Sequence, residues 1–259
     1  MRLQSEKKFD YNNSLGFYLP NLHGTNKDSL IIKDVLAHQA GLQAWIPFYL
    51  KTMNKKHEFK PGYYSIKPSE EYSIRVAKKL YSKKSFIDTM YFRIINSKIE
   101  NQKKYLYSDL GYYFLEQIIE KLSNKKQNDY VAEIYRKLGL SLTYLPQKYF
   151  SIEQIAPTEN DIIFRKQVVQ GFVHDPGAAL MGGIAGHAGL FGNAYDVAKL
   201  MQFYVNKGNY KGEQLLDSNV VIEYTRKQAF NNNRRGLCFD KPEPDEKKDS
   251  PVTSLCSLE

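Results

Sequence analysis

A chain of 259 residues with 42% hydrophobic content is long enough for one large domain or two small ones and can bury a core, so a globular protein is expected. The formal net charge of +9 raises nucleic acid or an anionic surface as a partner, but the lysines are scattered among acids such as Glu70, Glu71, Glu116 and Glu120, as on a solvated basic surface. With no RNA-binding signature, zinc-finger spacing or uninterrupted basic arm, nucleic-acid binding is not expected.

Cys238 and Cys256 are read as free thiols, since nothing in their spacing requires a disulfide. No apolar run approaches the roughly 18 to 20 residues that span a bilayer, so no transmembrane segment is expected. The opening MRLQSEKKFD lacks the apolar region of a signal peptide. Compartment is not legible in the residues themselves.

In chain order, Ser69 is predicted to cap a helix whose Tyr72, Val76, Ala77 and Leu80 share one side. Ser108 or Asp109 caps the next, lined by Leu110, Phe114, Leu115, Ile118, Ile119 and Leu122; on this reading alone Asp109 is an N-cap. Asn128 caps a third with Val131, Ile134, Tyr135 and Leu138 on one face, stopped at Gly139. The six glycines of DPGAALMGGIAGHAGLFG, from Asp175 to Gly192, predict a close-packed irregular segment or short strands around a cleft. A fourth helix follows Asn193, with Val197, Leu200, Met201, Tyr204 and Val205 facing the core and Gly208 ending it. RRGLCFD reads as a strand, and KPEPDEKKDSPVTSLCSLE, residues 241–259, as a mobile tail.

Several chemistries lose support. The histidines at 23, 38, 57, 174 and 187 fall in no metal-ligand spacing, and there is no G-x-S-x-G elbow, Walker loop or dinucleotide fingerprint, so no cofactor is expected. Asp161 and Asp175 as a glycosidase pair find no support in spacing. S-x-x-K, whose spacing puts a serine and a lysine on one helical face, occurs as Ser5 to Lys8 and Ser123 to Lys126, both in charged or polar surroundings unsuited to a deprotonated lysine.

Taken together, three segments resemble the serine β-lactamase and penicillin-binding-protein-like hydrolases of the class C and esterase type. IIKDVLAHQAGL (Ile31 to Leu42) is similar to the family's I-x-D-L-L-x-H-T-S-G-L, YSDLGYYFLEQIIEKLS to its Tyr-x-Asn motif and following helix, and HDPGAALMGGIAGHAGLFGNAYDVAKLMQFY to its later glycine-rich segment and helix. WIPFYLKT (Trp45 to Thr52), APTENDIIFRKQ (Ala156 to Gln167) and NNNRRG (Asn231 to Gly236) resemble the subgroup in which this domain follows a family 3 β-N-acetylglucosaminidase. The resemblance implies an α/β serine β-lactamase/DD-peptidase-like fold, of which residues 1–240 hold the helical region and an incomplete antiparallel sheet: mainly α with minor β, truncated at both ends.

By the same resemblance Tyr107 is the motif tyrosine, a phenolate held below its free pKa of about 10 by lysine ammonium groups, which shuttles a proton. Asp109 stands where the family has Asn, so it accepts from a lysine more readily than it recognises an amide, and Ser108 is a substrate contact. The expected substrates are D-alanyl peptides, β-lactams or esters, with an acyl-enzyme on a serine. The first motif, S-x-x-K, and the third, Lys/His-Thr/Ser-Gly, have no counterpart here, His187-Ala188-Gly189 belonging to another segment, so the chain as given is expected to be inactive. The alternative is a non-catalytic module that binds peptidoglycan or a partner. The resemblance further implies an extracytoplasmic location, and marginal stability or association through exposed apolar helix faces.

Overall fold

The computed structural model describes residues 1–100, 103–228 and 233–241. Among them are ten α-helices and a few short antiparallel strands, so the protein is mainly α with minor β, as the sequence predicts. The helices are α1 (Arg2–Ser5), α2 (Leu15–Tyr18), α3 (Ile32–Leu36), α4 (Phe48–Lys51), α5 (Phe86–Ile95), α6 (Leu110–Ser123), α7 (Gln127–Lys137), α8 (Pro176–Leu180), α9 (Ala194–Val205) and α10 (Ser218–Thr225). β1 (Tyr64–Ser65), β2 (Ile74–Ala77) and β3 (Leu80–Ser82) form a sheet in the order β1-β3-β2, while β4 (Thr143–Tyr144) pairs with β7 (Leu190–Phe191), β5 (Pro157–Asp161) with β6 (Gln167–Gln170) and β8 (Asn209–Tyr210) with β9 (Glu213–Gln214).

Helix α6 organises the larger core. Leu110, Phe114 and Ile118, at i, i+4 and i+8, are fully buried beside Tyr113 and Leu115, and pack with Leu15, Leu22, Ile32, Val35, Met90 and Ile94. Removing a ring as large as that of Phe114 from such a site costs about 3–5 kcal/mol. A smaller cluster joins Leu138, Leu140 and Leu142, after α7, to Phe203 of α9 and to Leu216 and Val221.

Three expectations are corrected. The segment after Ser69 is a hairpin, β2–β3, and not a helix: Tyr72, Ile74, Val76 and Leu80 also fit a period of two, and the β-branched Ile74 and Val76 favour the strand. Ser69 Oγ does accept from the Tyr72 N–H, but in a turn, and Lys79 at φ 53° reverses the chain. RRGLCFD is not a strand either, because Cys238 has φ 68°, Gly236 N–H donates to the Phe239 carbonyl, and Leu237 N–H turns to the Tyr224 carbonyl. In α9 the Asn193 cap holds, its side chain accepting from Asp196 N–H, but Phe203 is the buried apolar residue while Val197, Met201 and Val205 are exposed.

Helix α7 begins at Gln127, one residue before the expected Asn128 cap, and its first N–H is taken by Glu120 from the end of α6. Gly139, at φ 63°, terminates it as predicted. The tail from residue 242, with Cys256, lies outside the described residues, as do residues 231 and 232 of NNNRRG.

Candidate active site at the start of helix α6

Residues 107–109 turn into α6 under restraint from two sides. Ser108 N–H donates to His38 Nδ1 at 3.0 Å, its hydroxyl donates to the Gln43 carbonyl at 2.6 Å, and Asp109 N–H donates to the Ala44 carbonyl at 2.9 Å. Ser108 Oγ also accepts from Leu110 N–H, so Ser108 caps the helix while Asp109, at the N-cap position, makes no side-chain cap bond. The expected substrate contact by Ser108 does not fit this geometry: the side chain is buried and its hydroxyl is engaged as donor and acceptor. The Asp109 carboxyl is not used as a cap and interacts instead with the Tyr107 hydroxyl.

Tyr107 is half-exposed and stacks on His38, with ring centroids 4.5 Å apart. The Arg235 guanidinium lies 5.2 Å from its ring centroid and donates from Nε to the Tyr105 hydroxyl. Partial burial and the neighbouring Asp109 carboxylate raise the Tyr107 phenol above its usual range, while Arg235 pulls the other way. Within the described chain the balance of burial and charge at Tyr107 is upward, opposite in direction to the lowering by lysines that the resemblance implies. Burial, with Arg235 nearby, lowers His38 to about 4, so its imidazole is neutral at pH 7 and receives the Ser108 N–H.

Behind Asp109 lies a cavity of about 20 Å³ lined by Trp45, Phe48, Tyr49, Tyr113, Asp175 and His187, among others. Asp109, Tyr113 and Glu116 follow one another at i, i+4 and i+7 on α6, and the glycine-rich segment packs onto this face. That packing needs glycine at 177 and 186: a Cβ at Gly177 would sit 2.3 Å from the Tyr113 hydroxyl, and one at Gly186 2.1 Å from the Tyr112 carbonyl oxygen. The segment delivers His187, whose ring stacks on Tyr113 at 4.5 Å and whose Nε2 is 2.9 Å from Asp175 Oδ1. Asp175 also caps α8 by accepting from Ala178 N–H.

Asp175 is placed from a distance. The fully buried Arg165 binds Asp161 and Glu159 in the β5–β6 hairpin and donates to the carbonyls of Val173 and His174, the residues just before Asp175. Phe164 beside it packs against Tyr49, so two segments quoted separately in the sequence, APTENDIIFRKQ and WIPFYLKT, meet beside the site. Asp161 serves this ion pair, which leaves no glycosidase pair with Asp175.

Burial raises the Asp109 carboxyl, with Asp175 adding to the effect and His187 opposing it. For Asp175 burial also pushes upward, but the His187 and Ala178 hydrogen bonds prevail and hold it below the usual carboxylate range. Glu116 is pushed up to about 7, chiefly by burial.

The sequence offered Tyr107 and Asp109 as candidates and left His38, Glu116, Asp175, His187 and Arg235, which the fold brings near them, unassigned. The quoted H-Q-A-G-L, G-H-A-G-L and R-R-G stretches were the available signals. Neither S-x-x-K serine joins the site: Ser5 Oγ accepts from Asp217 N–H, and Ser123 ends α6, about 20 Å along the helix from Leu110. Among the described residues no group of three or more His, Cys, Asp or Glu is placed to hold a metal ion.

Comparison with known proteins fits this architecture. The chain is 32% identical over 248 residues to the "N-acetylmuramyl-L-alanine amidase" of Bacillus subtilis, covering 88% of this chain and 51% of that protein. It is 33% identical over 248 residues to a Salmonella agona protein named "Putative D-alanyl-D-alanine carboxypeptidase", covering 87% and 52%. It thus spans about half the length of these curated relatives. Among solved structures, a penicillin-binding protein homologue from Caulobacter crescentus superposes with a TM-score of 0.59 at 16% identity, over 94% of this chain and 63% of that one. A class C β-lactamase mutant superposes with a TM-score of 0.59, also at 16% identity, over 92% and 54%. The Beta-lactamase family model matches residues 1–237, and the chain belongs to the Beta-lactamase family.

Proposed function

We propose that the turn at Tyr107–Asp109 is the proton-handling part of an acyl-transfer site for D-alanyl peptides or related β-lactams and esters. The observation that carries this reading is Asp109: a carboxyl at the start of a buried helix, unused as a cap, next to an accessible tyrosine and facing a cavity. In the reaction, the Tyr107 hydroxyl passes a proton between a serine nucleophile and the leaving group, and the Asp109 carboxylate accepts from an ammonium or amide N–H. At pH 7 the phenol is protonated, so it can act as a base only after further positive charge has favoured loss of that proton and left the phenolate. Arg235 supplies part of that charge.

The relatives' names support a peptidoglycan-derived substrate and an extracytoplasmic role in cell-wall turnover, in keeping with the resemblance to domains fused to family 3 glycosidases. Among the described residues no helix is long and apolar enough to cross a membrane. The exposed edge of α9, at Val197, Met201 and Val205, is the proposed face for association.

The engagement of Ser5 by the Asp217 N–H and the place of Ser123 at the far end of α6 favour a second reading, in which these 259 residues bind such ligands without acylation. Incubation with a fluorescent penicillin followed by peptide mapping separates the two. The chain on its own is expected to remain unlabelled, the outcome of the second reading; a labelled serine would establish acyl transfer by these residues and identify the nucleophile.

A further inference from the structure

The His187 side chain is only 3% exposed, and its Nδ1 has no hydrogen-bond partner. Its other nitrogen faces Asp175 Oδ1 at 2.9 Å. An ionised carboxylate only accepts, so Nε2 carries the proton, and the unpartnered Nδ1 is read as the acceptor nitrogen with its lone pair free. A buried acceptor without a donor is destabilising, and few buried polar groups in folded proteins are left so. The same ring lines the cavity of about 20 Å³ that Asp109 also lines, and a space of that size holds one water molecule.

We propose that His187, oriented by Asp175, is a positioning residue for Asp109, acting through one water molecule that donates one hydrogen bond to His187 Nδ1 and the other to the Asp109 carboxylate. The two O–H bonds of a single water satisfy both acceptors, and no bond is broken. The water fixes the direction of a carboxylate that makes no cap bond, and it favours the ionised form that burial opposes. The groups facing this arrangement are Tyr107, which hydrogen-bonds the Asp109 carboxyl from the preceding turn, Tyr113 and Glu116 on α6, Asp175 at the start of α8, and His174 beside Asp175. The inference rests on the reading of Asp109 as a site residue, but its test needs no catalysis.

Two NMR measurements on the whole chain decide it. Long-range 1H–15N spectra of the wild-type protein are expected to show the His187 proton on Nε2 and none on Nδ1. An Nδ1–H tautomer would overturn the proposal even if no variant folds. In His187→Phe, which keeps the stack on Tyr113, the Asp109 carboxyl 13C titration is expected to move up by about one pH unit, the effect of losing one charge-assisted hydrogen bond. An unmoved midpoint in a folded variant would overturn it. Failure of D-alanyl peptides to bind would instead remove the functional reading and leave the His187–Asp109 coupling intact.

Discussion

Tyr107 lies against His38 with ring centroids 4.5 Å apart and planes 28° from parallel, and the His38 ring is the acceptor for the N–H of the next residue, Ser108. One side chain therefore sets both the tyrosine's face and the path of the backbone beneath it. His38 itself has φ 56°, in the left-handed region, where its ring reaches back to residues seventy positions later in the chain.

Arg235 supplies positive charge beside the Tyr107 ring. Its cation favours the Tyr107 phenolate, so Arg235→Met is expected to raise the Tyr107 midpoint further above the usual tyrosine range. A 13Cζ titration of labelled tyrosine, assigned with Tyr107→Phe, reads this. The hydrogen bond to Tyr105 and the contacts with the two rings also go, at a cost of about 1–2 kcal/mol in urea unfolding.

Glu116 makes stability depend on pH. Its folded pKa of about 7 lies above its ordinary 4.5, so the folded state binds the proton more tightly than the unfolded state. The associated stability is fully present below pH 4.5, declines as pH rises, and is lost above about 7. Glu116→Gln keeps an acceptor for the Gly186 N–H and removes the titration. Its unfolding free energy relative to wild type is expected to improve by about 2–4 kcal/mol between pH 4.5 and pH 8; an unchanged difference would refute the assignment.

Arg165→Met tests how Asp175 is placed. Removing the cation leaves Asp161 buried without its partner, and the Val173 and His174 carbonyls lose their donor. The expected loss is about 3–5 kcal/mol by urea unfolding. A destabilisation below about 1 kcal/mol would show that the hairpin does not hold the site together.

Legibility of the sequence followed the distance over which each feature is determined. The α6 stripe from Leu110 to Leu122 and the Asn193 cap depend on near neighbours, and both were readable. The hairpin at residues 69–82 was misread because its buried positions satisfy a helical and a strand period at once, and Lys79 in the left-handed region gave no residue-type signal. Asp175 and His187 stand twelve residues apart and meet only because Gly182 and Gly183, at φ 89° and 86°, turn the chain back. That contact, like the one between His38 and Ser108, is made by tertiary packing, which periodicity does not encode.

Tyr107 and Asp109 are the proposed site for D-alanyl ligands, and a 1H–15N NMR titration of the chain with a D-alanyl-D-alanine peptide tests this most directly. Shifts concentrated at Trp45, Tyr107, Ser108, Asp109 and His187, and lost in Asp109→Ala, are the predicted result. An unperturbed spectrum at millimolar peptide, or shifts confined to residues away from the start of α6, would contradict it.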